Sequence, residues 1–178
     1  AYIGAFSALL AAIIATKQTD IKKILAYSTM SQLGYMFIAV GLGFYSSGLF
    51  HVFTHAFFKA MLFMGAGGVI IALHHEQNIF NIAKHRAILP IISATFLIGV
   101  IAISGIPPFS GFFSKDAILA AAFQEGHYLI YGIALFTAFL TAFYMFRLYF
   151  VVFVTPNHHK KEYVYTSKTI TFPLVVLA

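Results

Sequence analysis

The chain has 178 residues, of which 61% are hydrophobic and only 9% are charged. Soluble globular domains carry roughly 45–50% apolar and about 25% charged residues. So few charges cannot cover a core of this size with polar groups, which excludes a water-soluble domain, and the mean hydropathy of +0.89 agrees. We therefore expect an integral membrane protein, since several stretches approach the ~20 apolar residues that span a bilayer.

The remaining composition excludes several kinds of site. The sequence contains no cysteine, so disulfide bonds, iron–sulfur ligation and thiolate chemistry are excluded. We attribute the net charge of +6 to basic loops on one side of a membrane rather than to nucleic-acid binding. Ala1 lies inside one apolar run and Ala178 ends another, so we expect an internal piece of a longer polypeptide.

Polar breaks divide the chain into apolar segments that predict transmembrane helices. The breaks are the charged stretch at residues 17–23, the polar stretch at residues 74–86 and a basic loop. Residues 155–178 are predicted to form that loop and the start of a further transmembrane helix. The other predicted helices cover about residues 1–16, 24–45, 48–73, 88–124 and 128–154.

The fourth predicted helix is interrupted at residues 105–111 by glycines and two adjacent prolines. The part that follows, residues 112–123, would be only ~18 Å long as a helix, too short for a ~30 Å hydrocarbon core. If the whole segment crosses once, the loops with lysine or arginine all fall on one side, as the positive-inside rule requires. We predict one discontinuous helix with cytoplasmic basic loops; a simple proline kink is the alternative. Broken helices mark ion and substrate sites in transporters.

Two lysines lie inside the predicted membrane segments. Nine of the 11 lysine and arginine residues lie in loops or near a helix end, and the remaining two are Lys59 and Lys115. Placing a lysine at the bilayer centre costs at least ~2.5–3.5 kcal/mol, so such a residue is a functional hypothesis by default. Burial disfavours the charged form, which allows a lysine to gain and lose a proton. The alternative is a fixed structural charge paired with an acidic residue.

Two histidines continue the line of Lys59 on the third predicted helix. His51, His55 and Lys59 are four residues apart and therefore occupy one helix face over ~12 Å. Histidine titrates near neutral pH and is a common proton relay. The stripe predicts a proton pathway in which water fills the gaps between side chains. The alternative for each histidine is a packing role.

Three other features of these helices bear on possible metal binding and on contacts between helices. The spacing of the two histidines also suits a metal ion, but no third ligand accompanies it, so we predict no metal or haem site. Asp116 points ~100° away from Lys115 around the helix. It can pair with a neighbouring helix or stabilise the first helical turn. The polar cluster at residues 27–32 is predicted to form hydrogen bonds between helices.

Three blocks of the sequence resemble the antiporter-like membrane subunits of respiratory complex I. In chain order they read DIKKILAYSTMSQLGY at residues 20–35, HVFTHAFFKA at residues 51–60 and GIPPFSGFFSKD at residues 105–116. The stretch HHEQNI at residues 74–79 is similar to the largest subunit of that group. The resemblance covers nearly the whole chain. It extends to subunits of multisubunit sodium/proton antiporters and membrane-bound hydrogenases.

The resemblance implies an all-α integral membrane protein, a multi-helix bundle with one discontinuous transmembrane helix. Members of the family contain two inverted five-helix repeats, each with a broken helix and a half-channel. Residues 1–154 would be the second of these repeats, and residues 155–178 the start of the tail region. The first repeat and the long lateral helix of the largest subunit would lie outside this chain, so the fragment should not pump by itself.

The resemblance also implies roles for individual residues. By the family pattern, Lys115 is the lysine linked to the exit side, and Lys59 with His51 and His55 forms the central hydrophilic axis. Asp20 and Lys22, near the start of the second predicted helix, would lie at a polar position between the helices of the repeats. The predicted proton pathway consists of Lys59, Lys115, His51, His55, Asp116, Asp20 and Lys22.

We therefore expect a proton-translocating subunit of NADH–quinone oxidoreductase in a bacterial inner membrane, with no redox site in this chain. NADH, FMN and iron–sulfur clusters are expected in partner subunits, and the partners are other membrane and peripheral subunits of the complex, the lipid bilayer and protons, not nucleic acid. The alternatives are a subunit of a sodium/proton antiporter or membrane-bound hydrogenase and, in another class, a passive membrane scaffold.

Overall fold

A computed structural model of the chain describes residues 1–84, 87–155, 162–163 and 168–178. Within them, a two-residue strand β1 (Ala87–Ile88) pairs in parallel with β2 (Glu162–Tyr163). A π-helical turn, Phe150–Val154, continues the seventh helix. The helices are α1 (Tyr2–Lys17), α2 (Ile21–Gly41), α3 (Tyr45–Ala72), α4 (Ile79–Lys84), α5 (Pro90–Ser104), α6 (Ser110–Gln124), α7 (Tyr128–Tyr149) and α8 (Lys168–Leu177).

Three of the described helical segments are long and apolar enough to cross a membrane. They are α2, α3 and α7 with its π-helical turn, and α1 and α5 are shorter apolar helices. The 28 residues of α3 would span ~42 Å, more than the ~30 Å hydrocarbon core, so α3 must tilt or extend beyond it. The prediction of an all-α membrane bundle is confirmed.

The ends of α2 differ from the predicted bounds because of local capping. The helix begins at Ile21 instead of residue 24, since a carboxylate oxygen of Asp20 accepts hydrogen bonds from the backbone N–H groups of Lys22 and Lys23, at 2.8 and 3.1 Å. This is the ordinary role of aspartate at a helix N-cap. At the other end, Gly43 adopts a φ of 84°, which glycine tolerates without strain.

The break in the fourth predicted helix is real, which confirms the prediction of a discontinuous helix. Helix α5 ends at Ser104, and Gly105 follows in the left-handed conformation with a φ of 76°. Two prolines without backbone N–H groups fill the connection to α6. Gly111, in the first turn of α6, lies against the carbonyl group of Ala102 so closely that there is no room for a side chain. The start of α6 therefore overlaps the last turn of α5.

One end of the bundle carries its basic residues. The carboxyl end of α1 meets the amino end of α2 there, together with α4 and the carboxyl end of α7. The guanidinium of Arg147 donates to the carbonyl oxygens of Thr16 and Gln18, at 2.8 and 3.2 Å. Those carbonyls lie at the end of α1, where helix geometry leaves them free. The described residues do not include most of the predicted basic loop, which contains His158, His159, Lys160 and Lys161. They also do not include His85 and Arg86.

The outside of the bundle carries many large apolar side chains, and a set of polar side chains lies inside it. Large apolar side chains such as Phe37, Phe53 and Phe139 are exposed on the outside of the bundle. The interior holds a set of polar side chains with less than a tenth of their surface exposed: Ser28, Ser31, Gln32, His51, Thr54, His55, Lys59, Thr95, Ser104, Ser114, Lys115, Thr137 and Thr141. Because apolar surface suits lipid and buried polar groups need partners, these interior residues locate the candidate site.

Candidate functional site

The predicted stripe on α3 is buried along its whole length. The exposed fractions of His51, His55 and Lys59 are 0%, 9% and 6%. The ring centroids of the two histidines are 6.2 Å apart, and Phe58 packs edge-on against the His55 ring. Three titratable groups therefore follow one another, one per helical turn, along the interior face of α3.

Lys115 on α6 lies beside the helix break. Its side chain is 3% exposed, and its Nζ donates a hydrogen bond of 2.5 Å to the carbonyl oxygen of Ile103. Ile103 belongs to the last turn of α5, where carbonyl oxygens lack intrahelical partners and the helix dipole favours a positive charge. The break thus supplies the acceptor that a buried lysine requires.

Lys59 also uses a backbone carbonyl. Its Nζ donates to the carbonyl oxygen of Leu25 on α2, at 3.0 Å, and lies 5.9 Å from the ring centroid of Phe63. Thr29 donates its hydroxyl proton to the same carbonyl. Within the described residues, both buried ammonium groups are therefore held by backbone dipoles rather than by a carboxylate.

A serine joins the stripe on α3 to the broken helix. The Oγ of Ser114 lies 2.9 Å from Nδ1 of His51, and Thr54 donates its hydroxyl proton to the same oxygen over 3.1 Å. Ser114 directly precedes Lys115. Neither Ser114 nor Thr54 was among the residues predicted for the proton pathway. The only signal in the sequence is that Thr54 lies one helical turn from His51, on the side of the stripe.

Three residues of the predicted polar cluster on α2 are fully buried: Ser28, Ser31 and Gln32. Ser31 donates its hydroxyl proton to the carbonyl oxygen of Ala8 on α1, at 3.0 Å, which is a hydrogen bond between helices of the predicted kind. Tyr35 donates to the carbonyl oxygen of Ala134 on α7. Its ring lies below the Lys115 ammonium, with 5.5 Å between Nζ and the ring centroid. The interior face of α2 therefore also borders the candidate site.

The other predicted pathway residues lie away from this cluster. Asp20 caps α2 at the basic end and pairs through its backbone with Asn78. Lys22 is exposed in the first turn of α2, and Asp116 is exposed on the outside of α6. The structure thus brings together the two lysines and the two histidines, and it leaves the remaining three residues at the periphery.

Possible metal ligands do not converge in the described part of the chain. No group of three or more histidine, cysteine, aspartate or glutamate side chains is placed there to hold a metal ion. Nδ1 of His51 instead lies against the hydroxyl of Ser114, and the ring of His55 packs against Phe58. The chemistry that this arrangement can perform is the gain and loss of protons.

Known proteins are similar to this chain in sequence and in fold. Residues 1–141 match the family described as NADH:quinone oxidoreductase/Mrp antiporter, TM. NADH-quinone oxidoreductase subunit L of Escherichia coli is 47% identical over 180 residues, which cover 98% of this chain and 28% of that protein. Subunit L of Campylobacter jejuni is 48% identical over 181 residues, covering 100% of this chain and 30% of that protein.

A chloroplast protein and a solved structure extend the comparison. The chloroplastic NAD(P)H-quinone oxidoreductase subunit 5 of Chlorokybus atmophyticus is 45% identical over 196 residues, covering 100% of this chain and 30% of that protein. A chain in the structure of the Mrp complex from a Dietzia species is 25% identical, with a TM-score of 0.77 over 87% of this chain and 30% of that chain. This chain spans less than a third of the length of these relatives. It belongs to the NADH:quinone oxidoreductase/Mrp antiporter transmembrane family.

Proposed function

We propose that this chain is part of a proton-translocating membrane subunit of NADH–quinone oxidoreductase. In this proposal protons move through His51, His55, Lys59 and Lys115. The observation that carries it is the hydrogen bond between His51 and Ser114, because it joins the buried stripe on α3 to the residue beside Lys115. The names of the relatives with 47% and 48% identity support the assignment to this oxidoreductase.

The side chains on α3 have the properties that a proton relay needs. Neutral imidazole carries one donor and one acceptor nitrogen, so it can take up a proton at one nitrogen and release another from the second. Nε2 of His51 and Nε2 of His55 are buried and have no hydrogen-bond partner among the described residues. Each can therefore exchange a proton with a bridging water, and the centroids of the two rings are 6.2 Å apart.

The lysines are the charge-storing ends of this pathway. A protonated Lys115 is stabilised by the carbonyl of Ile103 at the helix break, and a protonated Lys59 by the carbonyl of Leu25. Neither acceptor is a fixed negative charge, and a neutral lysine amine keeps N–H groups that can still donate to the same carbonyl oxygen. Each site therefore holds a proton without binding it irreversibly. Charge on one lysine disfavours charge on the other, since both lie in a medium of low dielectric constant.

The peripheral residues have proposed roles at the ends of the pathway. Asp20 and Lys22 line the entrance at the basic end, which we propose to be cytoplasmic in a bacterial inner membrane. Asp116 faces a neighbouring polypeptide from the outside of α6. The redox groups, NADH, FMN and iron–sulfur clusters, are proposed to belong to other subunits, and electron transfer there drives the proton movement here.

A second candidate function is antiport of sodium and protons. The likeness to a chain of the Mrp complex, with a TM-score of 0.77, favours it, and the matched family includes Mrp antiporters. The same lysines and histidines would then exchange protons against a sodium gradient. The two functions differ in whether proton movement depends on sodium and on an electron donor.

Neutralising the buried lysines tests the proposal. Lys59→Ala and Lys115→Ala in the full-length subunit are expected to abolish proton pumping in membrane vesicles energised with NADH, while the complex still assembles. Lys23→Ala is the matched control, because Lys23 is exposed on α2. An assembled complex that pumps at the control rate without either lysine would refute the proton pathway and favour a passive scaffold. Pumping that requires sodium would favour the antiporter.

A further inference from the structure

A second polar stripe runs along α2, parallel to the histidines. Leu25, Ser28, Gln32 and Tyr35 are spaced three, four and three residues apart and therefore share one helix face. None of these residues has any exposed surface. From the Leu25 carbonyl to Tyr35 the stripe covers ~15 Å. Its polar groups are a backbone carbonyl, a hydroxyl, an amide and a phenol ring.

The two ends of this stripe contact the two buried lysines. Lys59 donates a hydrogen bond to the Leu25 carbonyl oxygen at one end, at 3.0 Å. The ring of Tyr35 lies 5.5 Å from the ammonium of Lys115 at the other end. The stripe therefore connects the same two residues as the pathway on α3, but it does so without a histidine.

The middle of the stripe contains buried polar atoms without partners. The Oγ of Ser28, both the Nε2 and the Oε1 of Gln32, and the hydroxyl of Tyr144 on α7 make no hydrogen bond within the described residues. The side chain of Tyr144 lies beside those of Ser28 and Thr141. Each such group costs about 1–3 kcal/mol if it stays unsatisfied, and buried polar groups are almost always hydrogen-bonded.

The chemistry of these four atoms fits water. A buried water needs two to four polar partners, and typically makes about three hydrogen bonds. The amide of Gln32 offers two donor protons and an acceptor oxygen, and the hydroxyls of Ser28 and Tyr144 each offer one proton and lone pairs. A partner that can only donate, or only accept, would leave some of these atoms unpaired. Water can donate and accept, so it can satisfy all of them.

We infer that Ser28, Gln32 and Tyr144 bind a chain of internal waters that forms a second proton route between Lys59 and Lys115. Each hydroxyl or water in the chain accepts a proton from one neighbour and releases a different proton to the next. Every oxygen therefore returns to its neutral state. The amide of Gln32 does not carry the proton, but it holds the waters in line. The second route rests on the proposed function, whereas the water site does not depend on it.

A double variant in the full-length subunit of the assembled complex tests the second route. Gln32→Leu removes the amide and keeps a side chain of similar size, and His51→Leu interrupts the route on α3. We expect His51→Leu alone to retain measurable NADH-driven pumping, and the double variant to pump about tenfold more slowly, which corresponds to ~1.4 kcal/mol. Equal rates for His51→Leu and the double variant would overturn the second route, as would complete loss of pumping in His51→Leu alone.

Two further measurements separate this inference from the proposed function. Ile38→Leu, at another fully buried position of α2, controls for packing changes and is expected to pump normally in the His51→Leu background. A map of the complex by electron cryomicroscopy that resolves water is expected to show water density within hydrogen-bond distance of the Gln32 amide. A protein side chain bonded to that amide would overturn the water site, even if Lys59→Ala and Lys115→Ala abolish pumping.

Discussion

Nδ1 of His51 on α3 lies 2.9 Å from Oγ of Ser114 on α6. This contact holds an imidazole of the buried stripe against the broken helix, one residue before Lys115. Ser114 also accepts a hydrogen bond from the hydroxyl of Thr54. His51 and Thr54 together therefore fix the orientation of the Ser114 hydroxyl. If the serine accepts from Nδ1, then Nε2 of His51 is the basic nitrogen and faces the bundle interior. A small hydroxyl thereby sets which nitrogen of the histidine can take up a proton.

Removal of that hydroxyl is expected to slow proton translocation. Ser114→Ala leaves Nδ1 of His51 without its partner, and we expect about tenfold slower pumping, the factor equivalent to ~1.4 kcal/mol of lost stabilisation. Ser114→Thr retains the hydroxyl and is expected to restore at least part of the rate. Pumping by the assembled complex in vesicles measures both. A purely structural role is indicated if alanine and threonine reduce pumping equally.

Arginine at position 115 distinguishes a proton carrier from a fixed charge. The guanidinium of Lys115→Arg can still donate to the Ile103 carbonyl, but arginine does not lose its proton in proteins. We expect the complex to assemble and NADH-driven pumping to be lost. Lys23→Arg at an exposed position of α2 is the control. Normal pumping with arginine at position 115 would mean that the positive charge alone matters there.

The close contact between α5 and α6 predicts a strict requirement for glycine. A side-chain carbon at Gly111 would collide with the Ala102 carbonyl, whereas at Gly132 on α7 nothing lies within 4 Å. Gly111→Ala should therefore destabilise the subunit by about 1–3 kcal/mol, the usual cost of overpacking, and displace Lys115 from the end of α5. Gly132→Ala should be tolerated. Thermal unfolding of the purified complex compares the two, and equal melting temperatures would contradict the observed contact.

Sequence patterns predicted what depends on local helix geometry. The spacing of His51, His55 and Lys59 placed them on one face because side chains four residues apart always share a face. The Gly-Ile-Pro-Pro sequence at residues 105–108 likewise predicted the break before Lys115. The bond between His51 and Ser114 could not be predicted, since it depends on how α3 docks against α6. Nor could the unsatisfied amide of Gln32, because burial of one helix face is decided by its neighbours.

Substitutions of Asp20 can separate its structural role as a helix cap from its proposed role at the proton entrance. Its carboxylate caps α2 through the N–H groups of Lys22 and Lys23, and the proposed function places it at the proton entrance. Asparagine caps helices as well as aspartate does, whereas alanine loses about 0.5–2 kcal/mol. We therefore expect Asp20→Asn to keep the melting temperature of the complex and to lower its pumping rate. Asp20→Ala should lower both. If Asp20→Asn pumps at the wild-type rate while Asp20→Ala melts earlier, the carboxylate serves only to start α2, and the entrance must lie elsewhere at the basic end.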